Sequence, residues 1–497
     1  MAKLPYSEYK DAGFLRWLVL GIACVANFAD LFQSSMVLFG LPAIAADSSM
    51  NFSPTDINWV IVAYTVTFAT FLGIGGQCAD RTGPRNTFIV GLCFLVWTNI
   101  LCAWAPNQSA FLAGRALAGV GAALTAATGI PIITRLFPEE KERTTGLSIY
   151  ISCAPLGTIL GVVIGAALSI SSVGWRSLFW VTMILAVIAL VFAFLFVPAF
   201  EIASSDKPPI DYLGLTMFTL GTCLLVYGLN DAENRGWKSA PVITTIVLGA
   251  LTLIGFPFVE ARLQAPFIPR TILFNRHAMV PACSFMFTGG GWITWLFLAT
   301  QICLNSLKYS TILAACYFLP AAFASVIGGG IANTLVNMKQ TSLLIVGGYT
   351  LSVGALIPWG VIGPQYAIWY VIVFSALYLF SSPIVTVGAQ ALVLQEVPVE
   401  DHGRAAALTY VLYQFGSSLF LAVANILIGS TSKGETPQGL LVGYRNAIWS
   451  LVGFTSVGLA SFVVLYMPGQ SKKVVESQAA GTVNEPGSNK PEPLGEL

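Results

Sequence analysis

Apolar runs long enough to cross a bilayer recur along this chain, and no other feature constrains its fold as much. A helix rises 1.5 Å per residue and needs about 20 apolar residues to cross ~30 Å of hydrocarbon. Fourteen such spans are predicted, near 17–40, 57–78, 87–105, 110–134, 146–170, 176–197, 212–229, 241–259, 278–303, 309–331, 342–359, 366–393, 405–428 and 445–467. Transmembrane strands would need short alternating segments, which the sequence lacks. Only 9% of the 497 residues are charged, against about 25% in ordinary soluble proteins. The expected fold class is all-α and polytopic, with the lipid bilayer as solvent. Met1 to Asp11 is polar and the first apolar run opens a full span, so no cleavable leader is expected.

Basic residues set the expected orientation. An even number of spans puts both termini on one side. Loops on that side hold seventeen Lys and Arg, the opposite loops six, and Arg115 lies within a span. Positive charge collects on the cytoplasmic side, so both termini are expected to be cytoplasmic. Two glycosylation sequons start at Asn51 and Asn107 on the other side; Asn107 lies too close to the membrane, which leaves Asn51 as a candidate. The nine cysteines fall in or at the ends of spans, so no disulfide framework is expected. The net charge of +1 argues against a nucleic-acid partner. The sequence has no phosphate-binding loop, metal-ligand cluster, haem motif or nucleophile elbow, so neither an enzyme nor a cofactor nor a bound metal is expected. The two histidines, His277 and His402, fall in loops, which leaves no histidine relay inside the membrane.

Asp30 is the one acid well inside a predicted span. Placing a carboxylate near mid-bilayer costs at least ~2.5–3.5 kcal/mol, so such residues usually face protein and act in function. Arg115 is the one base within a span. It either snorkels to the surface or faces inward as Asp30 does. Asp30 lies about thirteen residues above the inner edge of span one, or ~20 Å, and Arg115 falls ~21 Å from the inner edge of span four. The unlike charges share a depth and can share a site if the fold brings spans one and four together.

The loop after span two reads Gly76-Gln77-Cys78-Ala79-Asp80-Arg81-Thr82-Gly83-Pro84-Arg85. Gly76 would let helices approach closely, Gly83 with Pro84 makes a turn, and Asp80 with Arg81 or Arg85 could form a charged latch. A bland alternative is a turn that collects Arg by the positive-inside rule. This stretch resembles the loop signature of the major facilitator superfamily, and Arg115-Ala-Leu-Ala-Gly119-Val-Gly121-Ala resembles its fourth-span motif. Asp30 followed by Ser34, Ser35, Leu38-Phe39 and Pro42 looks like the first span of the fourteen-spanner drug:proton antiporters, most like the fungal aminotriazole-resistance-type branch. Gly174-Trp175-Arg176 and Asp211-Tyr212-Leu213-Gly214 are further matches. Span five keeps Gly157, Gly161 and Gly165 in register but has Val162 for the motif's proline and Ala166 for its last glycine, which weakens the likeness to an antiporter.

The resemblance implies two six-helix halves with two helices inserted between them. The boundaries expected are a cytoplasmic N-terminus at 1–16, one half at 17–198, a linker with the extra pair at 199–277, the second half at 278–467 and a disordered cytoplasmic tail at 468–497. It also implies a monomeric secondary transporter, with a small organic substrate and protons as partners. Asp30 and Arg115 would couple protons, and residues 76–85 would gate the cytoplasmic side. Gly119, Gly121, Gly157, Gly161 and Gly165 would pack helices. Most aromatics of spans nine, twelve and thirteen, namely Trp292, Trp295, Trp369, Tyr370, Tyr378, Tyr410 and Tyr413, are expected to face lipid or the interfaces. Trp292 and Trp295, with Gln33, Gln301 and Gln390, are candidates for a substrate site instead. The leading expectation is proton-driven export from the plasma membrane, with the vacuolar membrane as alternative location. An importer on the same fold, or a non-transporting sensor, are the alternatives.

Overall fold

In a computed structural model of the chain, residues 13–53, 56–200, 211–263, 266, 268, 270–336, 341–363, 365–366, 368–398, 402–434 and 436–467 are described. The expected tail 468–497, most of the N-terminal segment 1–16 and the linker residues 201–210 lie outside them. Fourteen long helices and no strand occur among the described residues. They are α1 (Gly13–Ala45), α2 (Trp59–Thr82), α3 (Pro84–Ala103), α4 (Gln108–Leu136), α5 (Glu140–Ser169), α6 (Ser177–Phe196), α7 (Tyr212–Arg235), α8 (Ala240–Glu260), α9 (Arg276–Gln301), α10 (Thr311–Val336), α11 (Thr341–Val361), α12 (Ile368–Gln395), α13 (His402–Thr431) and α14 (Pro437–Ser461). Thirteen are long and apolar enough to cross a membrane over described residues, and α5 adds the apolar stretch Leu156–Ser169.

Local chemistry sets the helix ends. The Asn107 side chain accepts from the Ala110 amide at 2.9 Å and starts α4, and Asp211 accepts from Gly214 at 2.7 Å and starts α7. Gly83, at φ 95, separates α2 from α3, and Pro84 opens α3, where its missing amide is harmless. Some helices outrun their apolar runs. α1 continues through Pro42 to Ala45, and α14 begins at Pro437 under a Thr436 cap, well before the expected 445.

One packing pattern occurs twice. α1 packs on α5, α2 on α4, and α3 on α4 and α6; likewise α9 packs on α13, α10 on α12, and α11 on α12 and α14. Glycines permit the closest approaches. A Cβ at Gly161 of α5 would collide with the Phe32 carbonyl of α1, and one at Gly328 of α10 would collide with the Phe380 carbonyl of α12. α2 meets α13 and α5 meets α10, which joins the two sets. α7 runs along the α2–α13 seam. Its Thr219 hydroxyl donates to the Thr70 carbonyl at 3.4 Å, Tyr227 lies 5.7 Å from Trp59, Phe218 lies 6.1 Å from Phe415, and Asn230 accepts from Asn425 at 3.3 Å.

Candidate functional site at Asp30

Asp30 sits on the inward face of α1 and is 4% exposed. Its Oδ1 accepts a hydrogen bond from the Tyr64 hydroxyl of α2, and its Oδ2 has no partner. Arg115 of α4 is 1% exposed, so it does not snorkel. Its Nε donates to the Val60 carbonyl at 2.9 Å, and its guanidinium carbon lies 4.6 Å from the centre of the Tyr64 ring. Asp30 and Arg115 form no ion pair. Both bind the same tyrosine, one by its hydroxyl and one by its ring face.

The approach of α2 to α4 makes this geometry. A Cβ at Gly119 would collide with the Thr67 hydroxyl and the Tyr64 carbonyl, and the Thr67 hydroxyl donates to the Ala116 carbonyl at 2.7 Å. Only with α4 pressed this close does Arg115 reach the Val60 carbonyl. On its other side α4 meets α3, where a Cβ at Gly121 would stand 2.9 Å from Phe94. α1 is held as tightly to α5. Positions 157, 161 and 165 press on Phe28, Phe32 and Met36 in turn, a parallel register that keeps one offset over three contacts. Val162 and Ala166 are buried beside these glycines. The Asn27 side chain donates to the Tyr150 carbonyl of α5 at 2.9 Å, and the Tyr150 hydroxyl fits against Gly129. Tyr150 and Tyr410 of α13 also lie within electrostatic reach of Asp30.

Aromatic rings lead from Asp30 to the second helix set. Tyr64 meets Phe68 edge-on at 5.8 Å, Phe68 meets Tyr410 edge-on at 5.9 Å, and Tyr410 stacks on Tyr413 at 6.2 Å.

The expectation that most aromatics of spans nine, twelve and thirteen face lipid or the interfaces is corrected. Of the seven, Trp369 alone is exposed, at 60%. Trp295 is fully buried, with Phe318, Trp359 and Tyr378 5.1 to 5.9 Å away. The indole nitrogens of Trp292 and Trp295 have no acceptor. Gln33 is buried one turn from Asp30 with its amide nitrogen unpartnered. Gln301 accepts from Asn305 at 2.9 Å, and Gln390 accepts from Thr409 at 2.9 Å. These side chains are interior, but they are spread over α1, α9 and α12.

Charges near residues 76–85 also arrange themselves differently from the expected latch. Arg85 donates to the Phe194 carbonyl of α6 at 2.9 Å and Arg81 is exposed. The cations that act on Asp80 are Arg404 of α13 and Arg135 of α4. Gly76 faces open space; the close approach falls at Gly75, where a Cβ would stand 3.1 Å from Ala123 and Ala127 of α4.

At the opposite end of the bundle, the Asp47 carboxylate ties the loop after α1 to residues 174–176. It accepts from the Arg176 guanidinium at 2.6 Å, the Trp175 indole at 3.0 Å and the Ser49 hydroxyl at 2.6 Å. The Ser49 hydroxyl does most to hold this carboxyl well below the ordinary range, with the Ser49 amide, Arg176 and Trp175 adding against the cost of burial. Asn51, the sequon candidate, is exposed in the same loop at φ 49.

Tyr64 and Asp47 were not singled out in the sequence. For Tyr64 the available signal was a tyrosine hydroxyl inside the apolar run from Trp59 to Leu72 of α2, since a buried hydroxyl needs a partner.

Fourteen packed apolar helices, a packing pattern repeated in two sets, and buried charge beside their contact define a polytopic α-helical membrane protein. The chain belongs to the major facilitator superfamily, whose family profile matches residues 23–421; it is a membrane transporter. It is 39% identical over 472 residues to the multidrug transporter mfsC of Aspergillus fumigatus, covering 93% of this chain and 90% of that protein. It is 29% identical to the cephamycin export protein CmcT of Amycolatopsis lactamdurans, covering 90% of each. Among solved structures, a proton dependent oligopeptide transporter superposes with a TM-score of 0.63 at 13% identity, covering 93% of this chain and all of that one. That likeness concerns the fold.

Proposed function

We propose that this transporter exports small organic compounds, of the kind named for drug and antibiotic exporters, in exchange for protons. The similarity to mfsC and CmcT over nearly the whole chain supports the direction and the substrate class. The observation that carries the coupling is Asp30, a buried carboxylate with one oxygen satisfied by Tyr64 and the other by nothing. Such a group changes its preferred protonation state when water reaches it or leaves it. A transporter alternating between openings to either side supplies that change. Arg115, held on Val60 and the Tyr64 ring, keeps a positive charge nearby in both states.

In this reading residues 17–198 and 278–467 are the two moving halves, and 199–277 carries the inserted pair. Residues 76–85 gate the end where α1 starts, and Asp80 faces Arg404 across the halves. Trp292, Trp295, Gln33, Gln301 and Gln390 contribute to substrate contacts as the halves move. The protein acts as a monomer, without a cofactor. The plasma membrane is its location, with both termini in the cytoplasm, and Asn51 carries a glycan on the outside.

Deleting the gene in its host and challenging the strain with a panel of antifungal drugs and microbial toxins tests the function. Sensitivity to at least one compound, with faster loss of that labelled compound when the gene is restored, is expected. Unchanged sensitivity throughout, or accumulation of the labelled compound on restoration, contradicts export.

A further inference from the structure

We infer that Tyr64 is a positioning residue of the transport cycle: its hydroxyl reads whether Asp30 carries a proton, and its ring passes the difference to the α2–α13 contact between the two helix sets. This rests on Asp30 as the proton site.

Tyr64 has two faces with two tasks. Its hydroxyl is the sole donor to Asp30 among the described residues, and Arg115 lies over its ring face at 4.6 Å. An ionised carboxylate accepts a hydrogen bond roughly twice as strong as a neutral one gives. Once Asp30 is protonated, its carboxyl can itself donate, and its hold on the Tyr64 hydroxyl weakens. The ring does not move alone. It touches Phe68 edge-on, and Phe68 touches Tyr410, which α13 carries. A tyrosine released from Asp30 therefore changes the packing of the seam that the halves must open and close.

Other groups near Asp30 do not replace this link. Arg115 of α4, Tyr150 of α5 and Tyr410 of α13 act on Asp30 through the electrostatic field, and Tyr64 is the one bonded to it. Helices α6 and α9 also pack on α1, and none of their titratable groups acts on Asp30 among the described residues.

Infrared titration of the purified, reconstituted protein tests the first half of the inference without any substrate. The protonated-carboxyl band that is missing from Asp30→Asn reports Asp30. Tyr64→Phe keeps the ring and removes the hydroxyl, so it withdraws a bond made to the ionised form. The midpoint of that band should move up by about one pH unit, a tenfold change in the protonation equilibrium. An unmoved midpoint overturns the reading of Tyr64.

Hydrogen exchange of the 405–418 segment of α13, corrected for intrinsic rate, tests the second half. The wild type should show a difference between pH 5 and pH 8 that falls at least twofold in Tyr64→Phe. Phe68→Leu leaves the hydroxyl in place and breaks the ring contacts. It should lose the exchange difference while the infrared midpoint stays at the wild-type value. An exchange difference that survives both substitutions, or is absent from the wild type, overturns the transmission. Proton-driven transport that survives in Asp30→Asn would sink the proton-site assignment, and it is read in a separate assay.

Discussion

Replacing Gly161 by Ala tests the packing that holds Asp30 in place, and Gly76→Ala is its internal control. At Gly161 a Cβ would collide with the Phe32 carbonyl and stand 3.0 Å from Phe32 Cα and 3.1 Å from its carbonyl carbon. Ordinary contact begins near 3.4 Å. The helix carrying Asp30 must then retreat by at least ~0.4 Å, because the atoms it meets are backbone atoms that cannot rotate away. Overpacking of this kind costs about 1–3 kcal/mol. The gain from replacing glycine inside a helix offsets about 0.8–1 kcal/mol of it. The net expectation is a loss of about 1–2 kcal/mol for Gly161→Ala. At Gly76 nothing stands within 4 Å of the added carbon, so only the helix gain remains. Thermal unfolding of both variants in detergent, followed by size-exclusion chromatography of a fluorescent fusion, ranks them. Gly161→Ala should melt below the wild type and Gly76→Ala at or above it. The reasoning fails if Gly161→Ala matches the wild type or if Gly76→Ala is the less stable of the two.

Three further outcomes follow from the same geometry. Arg115→Lys cannot keep both the 2.9 Å bond to Val60 and the ring contact with Tyr64; losing one charged hydrogen bond costs about 1.5–3 kcal/mol, so transport should fall roughly tenfold or more, and a lysine variant at wild-type rate refutes it. Gly83→Ala must hold φ 95 with a side chain, which costs about 1–3 kcal/mol, seen as a lower melting temperature; an unchanged one contradicts the turn geometry. Asp47→Asn removes a carboxylate with a lowered protonation range; its contribution is present above the unfolded value near ~3.9 and lost as pH falls through the still lower folded value. The stability gap between wild type and Asp47→Asn should therefore stay constant from pH 5 to pH 8, and a gap that closes within that range counts against the clamp.

Hydropathy made the helices legible, because lipid demands length and apolarity from every span. The glycine register at 157, 161 and 165 was legible because four-residue spacing places small residues on one face. Rotational phase was not. Gly75 and Gly76 differ by one residue in sequence, and which of them meets α4 depends on a 100° turn that composition does not record. Trp295 could not be told from a lipid-facing residue for a related reason: a membrane interior and a protein interior select the same apolar residues. Asp30 and Arg115 stood out as charges, but the tyrosine between them did not, because a tyrosine in an apolar span is ordinary until its neighbours are known. The early start of α14 was missed because the segment from Pro437 to Tyr444 owes its helix to the Thr436 cap rather than to hydrophobicity.

Proton movement in Asp30→Asn tests the central claim most directly. Proteoliposomes with a trapped pH dye receive a compound that the resistance screen shows to be expelled. The wild type should move protons against that compound, and Asp30→Asn should still bind it while moving none. Proton flux at the wild-type rate in Asp30→Asn would contradict the assignment of Asp30 as the coupling site.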